Sequence, residues 1–274
     1  MESANALRDM RVDVSFVAAH LEDPTIRIVE VDVSPTAYRA GHIPGAILWN
    51  AYADLRHADY RPVSAADVLE LLRRSGVSVD TTIIFCGYAA HLGLWLLKSH
   101  GHDQVRLLDG PRERWKHASW DWTTEIPAPR QSLYRLPAQH AFFAPIDDVM
   151  AMVGRPGSII LDTRSNAEYA GERFWPSGAV EAGGRAGHIP GAVHLPIELL
   201  RSSEGAFRTA EEMRQALEER DITPATPIVA YCTIGNRASQ AWFALRYLLG
   251  FTDVRVYYGS WAEWGKRPGA PIEA

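Results

Sequence analysis

The sequence predicts an α/β protein of two tandem domains, each a small, mostly parallel sheet flanked by helices on both faces. Three observations carry this. The chain has 274 residues, more than one small core needs and enough for two domains of ordinary size. Gly41-His42-Ile43-Pro44-Gly45-Ala46 recurs 146 residues later as Gly187-His188-Ile189-Pro190-Gly191-Ala192, and Cys86 and Cys232 stand the same 146 residues apart. Such a period far exceeds that of a solenoid repeat, so each copy is expected to be a complete domain. Within each copy short apolar runs alternate with helical runs, the pattern of a parallel sheet with helical crossovers.

In chain order, Ile28-Val29-Glu30-Val31-Asp32 reads as a strand, and its counterpart is expected in Ile159-Ile160-Leu161-Asp162. Tyr38 matches Tyr169 upstream of the repeated turn. Helical runs cover Ala65–Arg74 and Ala210–Glu219. Thr82-Ile83-Ile84-Phe85 and Pro227-Ile228-Val229-Ala230-Tyr231 are buried strands, each running into a cysteine. A helical stretch follows each one, Ala238–Leu249 in the second copy, and a glycine stops it. Val105-Arg106-Leu107-Leu108 and Val254-Arg255-Val256 are last strands with tryptophan-bearing tails. Three prolines and no periodicity mark Ile126–Pro137 as linker. The expected division is 1–125 for a first, non-catalytic domain, 126–140 for the linker and 141–274 for a catalytic second domain. The insertion Gly171–Gly184, absent from the first copy, suits an ordered surface loop near the site.

The net charge is −5 and the pI about 6.1, with no basic block, which argues against nucleic acid as a partner. No apolar run approaches the ~18 residues that span a bilayer, and the first residues lack the apolar core of a secretory signal. Two cysteines cannot form a disulfide framework. A cytoplasmic, reducing setting and a monomer are expected.

The chemistry concentrates in Cys232-Thr233-Ile234-Gly235-Asn236-Arg237, read as a six-residue loop from a strand into a helix. Such a loop aims backbone N–H groups and a partial positive charge at its mouth. A cysteine there is held as thiolate, its nucleophilic form. Gly235 permits a tight turn through positive φ. Arg237 either meets an anionic ligand or braces the loop from within. Cys86 is the contrasting case. Its loop, Cys86-Gly87-Tyr88-Ala89-Ala90-His91, is shorter by about three on the count from cysteine to closing glycine (Cys86 to Gly101 against Cys232 to Gly250) and has no arginine, so this cysteine is expected to be non-catalytic. His42 and His188 sit in both copies of the turn and are read as turn residues. Trp115, Trp261 and Trp264 are expected core anchors. Arg164 either points into the mouth or pairs within its domain. The histidines and cysteines show no zinc-type ligand spacing, and neither a metal nor an organic cofactor is expected.

These residues together resemble the tandem-domain rhodaneses, the thiosulfate and 3-mercaptopyruvate sulfurtransferases. The resemblance covers nearly the whole chain and rests on Gly187–Ala192, Cys232–Arg237, Asp109-Gly110 with Trp115, and Gly259-Ser260-Trp261-Ala262-Glu263-Trp264. It implies a five-stranded sheet in each domain, catalysis by the second copy, and ping-pong sulfur transfer through a persulfide on Cys232. The partners it implies are a small sulfur donor, thiosulfate or 3-mercaptopyruvate, and a thiol or cyanide acceptor. It also implies that residues after the first repeated turn reach the site, with Asp54 and Arg61 as candidates beside Asn50.

The loop is closer to the thiosulfate type than to the uncharged mercaptopyruvate type. In the family an arginine that clamps the donor follows the Asp-X-Arg motif by four residues. Here that position is Glu168, with Arg173 and Arg185 as possible substitutes. Thiosulfate is therefore the favoured donor and 3-mercaptopyruvate the alternative. Phosphatases and arsenate reductases place five residues between cysteine and arginine; here four intervene, too tight a ring for phosphate. A regulatory sulfur-binding module is the remaining alternative, disfavoured by the intact second-copy loop.

Overall fold

The computed structural model describes residues 10–135, 142–202 and 205–274. The chain divides into two compact units, Met1–Ala58 with Pro62–His140, and Asp59–Arg61 with Ala141–Ala274.

In the first unit, strands β1 (Arg11–Val12), β2 (Ile26–Asp32), β3 (Ile47–Asn50), β4 (Thr82–Cys86) and β5 (Val105–Leu108) form one sheet in the order β1-β5-β4-β2-β3. Every pairing is parallel. Helices α1 (Val14–Ala19), α2 (Thr36–Ala40), α3 (Ala65–Arg74), α4 (Ala90–Ser99) and α5 (Glu113–His117) connect and flank them. Capping fixes where they begin. Asp13 accepts from Phe16 N at 2.7 Å, and Ser64 and Asp67 form a reciprocal capping box on α3.

The second unit repeats the plan. Helix α6 (Ile146–Met152) leads into β6 (Ile159–Asp162), α7 (Asn166–Tyr169), β7 (Val193–His194), a 3₁₀ turn (Ile197–Leu199), α8 (Ala210–Glu218), β8 (Ile228–Tyr231), α9 (Asn236–Phe243), β9 (Val254–Val256) and α10 (Ser260–Trp264). The sheet order is β7-β6-β8-β9, all parallel. A parallel bridge from Phe143 to Val256 stands where β1 stands in the first unit. The two parallel α/β units match the fold class read from the sequence.

Register corrects one landmark. Glu30 pairs with Cys86, and Asp162 pairs with Tyr231. Val29 pairs with Ile47, the residue after the repeated turn, as Leu161 pairs with Val193. Phe85 pairs with Leu107 as Ala230 pairs with Val256. The equivalent of Asp162 is thus Glu30 rather than Asp32, and the equivalent of Cys86 is Tyr231. The position of Cys232 in the first unit is held by Gly87. The shared 146-residue interval between the cysteines is off by one in structural terms. One residue in a strand reverses the side chain's face, and Cys86 accordingly packs in the core with Ile28, Ile43, Ile84, Leu108 and Trp115. Tyr231 does the same with Ile160, Ile189, Val229, Trp261 and Trp264.

The lengths between strand and closing glycine also separate differently from the sequence reading. Four residues, Cys232–Gly235, join β8 to α9, against three, Gly87–Ala89, from β4 to α4. Most of the surplus lies in the helix: α9 has 8 residues and runs on as a π turn of 5, Ala244–Leu248, while α4 has 10. Asn236 and Arg237 belong to the first turn of α9 rather than to the loop.

Residues 126–135 have no regular structure and lie along the first unit. Ser132 N donates to Arg73 O at 3.1 Å, and the Tyr134 hydroxyl meets His102 Nδ1 at 2.6 Å. The rest of the expected linker, 136–140, lies outside the described residues. In the insertion, Phe174 is buried and Trp175 Nε1 donates to Glu181 at 2.8 Å. Among the described residues no helix is long and apolar enough to cross a membrane.

Candidate active site

Cys232 is the first residue past β8. The start of α10 holds the backbone here. Cys232 N donates to Ser260 Oγ at 3.2 Å, and Ser260 Oγ donates to Tyr257 O at 2.8 Å. Trp261 N donates to Cys232 O and Ala262 N to Thr233 O, both at 2.9 Å. The first turn of α10 therefore clamps the start of the loop. Ser260 adopts φ +54° to do so and is fully buried. A left-handed serine in a buried turn is strained unless its surroundings fix it.

The other end turns at Gly235, with φ +87° at the N-cap of α9. A Cβ there would lie 3.2 Å from the Tyr258 ring and 3.3 Å from Tyr258 O. Glycine therefore meets two demands, left-handed backbone and close approach. The turn brings Gly235 N–H to 3.1 Å from Cys232 Sγ. That N–H, at the N-terminus of a helix, presents partial positive charge to the sulfur. Cys232 is buried, 1% exposed.

Arg237 is held from within its own unit. Its Nη1 donates to Glu168 Oε2 at 2.7 Å, its Nη2 to Glu168 Oε1 at 2.8 Å and to Thr233 Oγ1 at 2.7 Å. Thr233 Oγ1 donates in turn to Glu168 Oε1 at 2.5 Å. Glu168 is fully buried. Burial alone would raise its pKa, but hydrogen bonds and charge from Arg237, with Thr233 and Ser165, hold the carboxyl down to about 2. Of the two roles open to Arg237, the bracing one is the one seen. In sequence Glu168 shows only as a residue in an arginine's place; its hold on Arg237 and Thr233 comes from the fold.

Arg164 likewise resolves to a pair within its unit. It is fully buried, with Nη2 2.6 Å from Asp162 Oδ2 and 2.7 Å from Gly187 O. Its guanidinium lies over the Trp261 ring at 4.4 Å. Tyr231 donates to the same Asp162 carboxylate. Trp115, Trp261 and Trp264 are all buried. His188 stacks on Tyr169 at 3.8 Å, and His42 on Tyr38 at 3.8 Å, each with Nδ1 on that tyrosine's carbonyl. Both histidines are turn residues in this geometry.

Cys86 shows the opposite environment. Burial, with Glu30 nearby, pushes its thiol well above the ordinary range. Of the first-half candidates, Asp54 accepts from Asn50 N at 2.6 Å and from Arg74, while Arg61 is exposed and pairs with Asp59 at 2.6 Å.

The rhodanese-like domain model matches this chain twice, over residues 13–118 and 146–267. The chain belongs to the rhodanese-like family. A sulfur carrier protein, TtuD, from Thermus thermophilus is 38% identical over 96% of both chains. A protein from Haloferax volcanii named "putative thiosulfate sulfurtransferase" is 37% identical over 100% of this chain and 99% of its own. SseA of Mycobacterium tuberculosis, named likewise, is 37% identical over 99% of this chain and 93% of its own. This full-length likeness places the tandem rhodanese-like chain among sulfur-transfer proteins. Solved structures extend the likeness in fold: the anaerobic ergothioneine biosynthesis enzyme of Chlorobium limicola at 24% identity and TM-score 0.84, covering 97% of this chain and 70% of that one, and YnjE at 23% and 0.83, covering 97% and 68%.

Proposed function

We propose that this protein moves the outer sulfur of thiosulfate to a thiophilic acceptor by a ping-pong reaction through a persulfide on Cys232. The observation that carries the proposal is the cradle itself: Cys232 Sγ at a strand end, with Gly235 N–H on it at 3.1 Å and the N-terminus of α9 behind it.

In the first half-reaction the Cys232 thiolate attacks the outer sulfur of thiosulfate. A new S–S bond forms, the donor S–S bond breaks, and sulfite leaves with its electron pair. The enzyme then holds the sulfur as a persulfide anion. In the second, cyanide or a thiolate attacks that outer sulfur and the pair returns to Cys232 as thiolate. One difficult transfer becomes two displacements. The loop N–H groups serve both states, since each presents an anionic sulfur to them.

The donor preference rests on which cations are already committed. Glu168 stands in the clamp position and is gripped by Arg237. Arg185 donates to the carbonyls of Gly265, Ala270 and Arg267. Arg173 Nη1 donates to Pro176 O at 3.1 Å. A carboxylate clamp for 3-mercaptopyruvate has poor support, whereas thiosulfate needs only the cradle. The turning of Arg237 to Glu168 also disfavours a phosphatase-type loop, which wraps its arginine round the oxyanion. Asp54 and Arg61 are assigned no step, each being engaged by its own ion-pair partner.

The test sets thiosulfate against 3-mercaptopyruvate as donor with cyanide as acceptor. Thiocyanate should form faster from thiosulfate, by double-displacement kinetics. Mass spectrometry of the thiosulfate-treated enzyme should find one added sulfur atom, on Cys232. Faster turnover from 3-mercaptopyruvate reverses the donor assignment, and sulfur on Cys86 sinks the site assignment.

A further inference from the structure

We propose that Glu168 is the positioning residue of the Cys232 loop: reaching across from α7, it grips Arg237 and Thr233, fixes the loop backbone beneath the sulfur, and keeps the Arg237 charge within the protein instead of on the donor. The proposal rests on the reading of Cys232 as nucleophile and goes beyond it, because that reading assigns no task to a buried carboxylate.

Three observations converge. Both oxygens of Glu168 are engaged, and each holds the far side of the cradle. Oε1 takes Arg237 Nη2 and the Thr233 hydroxyl, and Oε2 takes Arg237 Nη1. Oε2 also receives Ser165 Oγ at 2.8 Å and Ser165 N at 3.2 Å, which pins the carboxylate to the start of its own helix. The chain of contacts thus runs from a fixed helix start, through one carboxylate, to residues one and five positions after Cys232.

The second observation is the geometry of the pair. A planar guanidinium docked by two nitrogens on two carboxylate oxygens defines an orientation, which a point charge does not. Thr233 Oγ1 closes a ring by accepting from Arg237 Nη2 while donating to Glu168. That ring spans the loop and leaves its turn, Ile234-Gly235, between two held points.

The third is the first unit. There Tyr38 repeats the role of Tyr169, stacking on the turn histidine and donating its hydroxyl to Ala46 O at 2.7 Å, as Tyr169 donates to Ala192 O at 3.0 Å. The residue before Tyr38 is Ala37, in the place of Glu168. Tyr88 and His91 stand for Thr233 and Arg237, and Gly87 for the thiol. The unit without the nucleophile lacks every member of the ring, while its turn is intact.

The experiment compares Glu168→Gln, Arg237→Lys, Arg237→Met and Thr233→Val in the full chain, by hydrogen exchange and by steady-state kinetics with thiosulfate and cyanide. Exchange of the 232–237 amides needs no donor and reads loop position directly. In Glu168→Gln it should speed up about tenfold or more, with β6 and β8 unchanged. kcat should fall about tenfold or more, while KM for thiosulfate stays within about threefold. Arg237→Lys should be as impaired as Arg237→Met, because a lysine keeps the charge and loses the fork.

Unchanged loop exchange in Glu168→Gln overturns the proposal. So does an Arg237→Lys enzyme of normal kcat beside an Arg237→Met enzyme impaired only in KM, the signature of a donor contact. If Glu168→Gln does not fold, Thr233→Val removes the hydroxyl relay while leaving the ion pair, and unchanged loop exchange there is equally fatal. Full turnover by Cys232→Ser defeats the sulfur-transfer reading instead, and the exchange comparison still decides the role of Glu168.

Discussion

The two units share a frame and differ in what it holds. In each, an arginine, fully buried in the second unit and part-buried in the first, pairs with the acid near the end of the strand before the repeated turn, donates to that turn's first glycine and lies over an indole. In the first unit this is Arg112, on Glu30, on Gly41 O at 2.8 Å, and 4.5 Å from Trp122. In the second it is Arg164, on Asp162, on Gly187 O at 2.7 Å, and 4.4 Å from Trp261. The arginines come from different places, after β5 in one and after β6 in the other, yet meet the same demands. The buried turn carbonyl needs a donor, and the buried acid needs a cation. At the proposed cradle every residue differs: Cys232 corresponds to Gly87, Glu168 to Ala37, Arg237 to His91 and Ser260 to Pro111. The fold tolerates this because the frame, not the cradle, carries the packing.

The sharpest way to break that contrast is the proposed nucleophile. Cys232→Ser should cut thiocyanate formation by about a thousandfold or more, the scale lost when a covalent catalyst is removed. Cys86→Ser should leave turnover within about twofold, because its side chain lies in the core and its thiol is held protonated. Loss of turnover in a folded Cys86→Ser enzyme would put catalysis in the wrong unit.

A second test addresses the shared frame. Arg112→Met and Arg164→Met each strand a buried carboxylate, and each should destabilise its own unit by about 3 kcal/mol. Hydrogen exchange resolves the two units separately, which a single melting curve does not. A neutral outcome in one unit alone would show that the two arginines do different work.

Much of this contrast was legible in the sequence. The repeated turn marked the two units, and Cys232 with its glycine and arginine marked the candidate site. What the sequence hid was register. Thr82-Ile83-Ile84-Phe85 and Ile228-Val229-Ala230-Tyr231 belong to central parallel strands, apolar on both faces, so no alternation tells which residue points where. Counting along the chain made Cys86 the twin of Cys232, whereas cross-strand pairing makes it the twin of Tyr231. The Glu168 anchor was hidden for a related reason. It lies 69 residues from Arg237 in sequence, and a lone glutamate in a short helix carries no signal of its distant partner.

Acid separates the units more finely. The Glu168 carboxyl is depressed to about 2 from its ordinary 4.5. A depressed acid lends stability above its ordinary pKa and loses it as pH falls towards the folded value. The second unit should therefore lose on the order of 2 kcal/mol between about pH 4.5 and 2. Glu30 is shifted the other way: burial outweighs Arg112 and raises it. In its folded state it binds its proton more tightly than when unfolded. Its contribution therefore grows as pH falls through the raised value to the ordinary one. Glu168→Gln should flatten the acid loss in the second unit, and Glu30→Gln should flatten the opposing trend in the first, both read as exchange protection against pH. Parallel acid profiles in the two units would contradict the opposite environments seen for these carboxyls.

The smallest effect tests the strain behind the nucleophile. Ser260 takes φ +54° and its hydroxyl oxygen accepts from Cys232 N, where the first unit has Pro111 after Gly110. Proline cannot reach that φ and has no hydroxyl, so the first unit cannot build this support at all. Ser260→Ala keeps the left-handed strain and removes the acceptor, leaving a buried N–H unpaired at a cost of about 1–2 kcal/mol. Ser260→Gly removes the same acceptor but relieves the strain. The glycine variant should thus be the more stable of the two, by about 1 kcal/mol, while both lose kcat by a similar factor of about three to ten. Equal stability would mean the backbone at 260 is unstrained. Normal kcat in both would mean that the two carbonyl contacts from Trp261 and Ala262 hold the nucleophile without the serine.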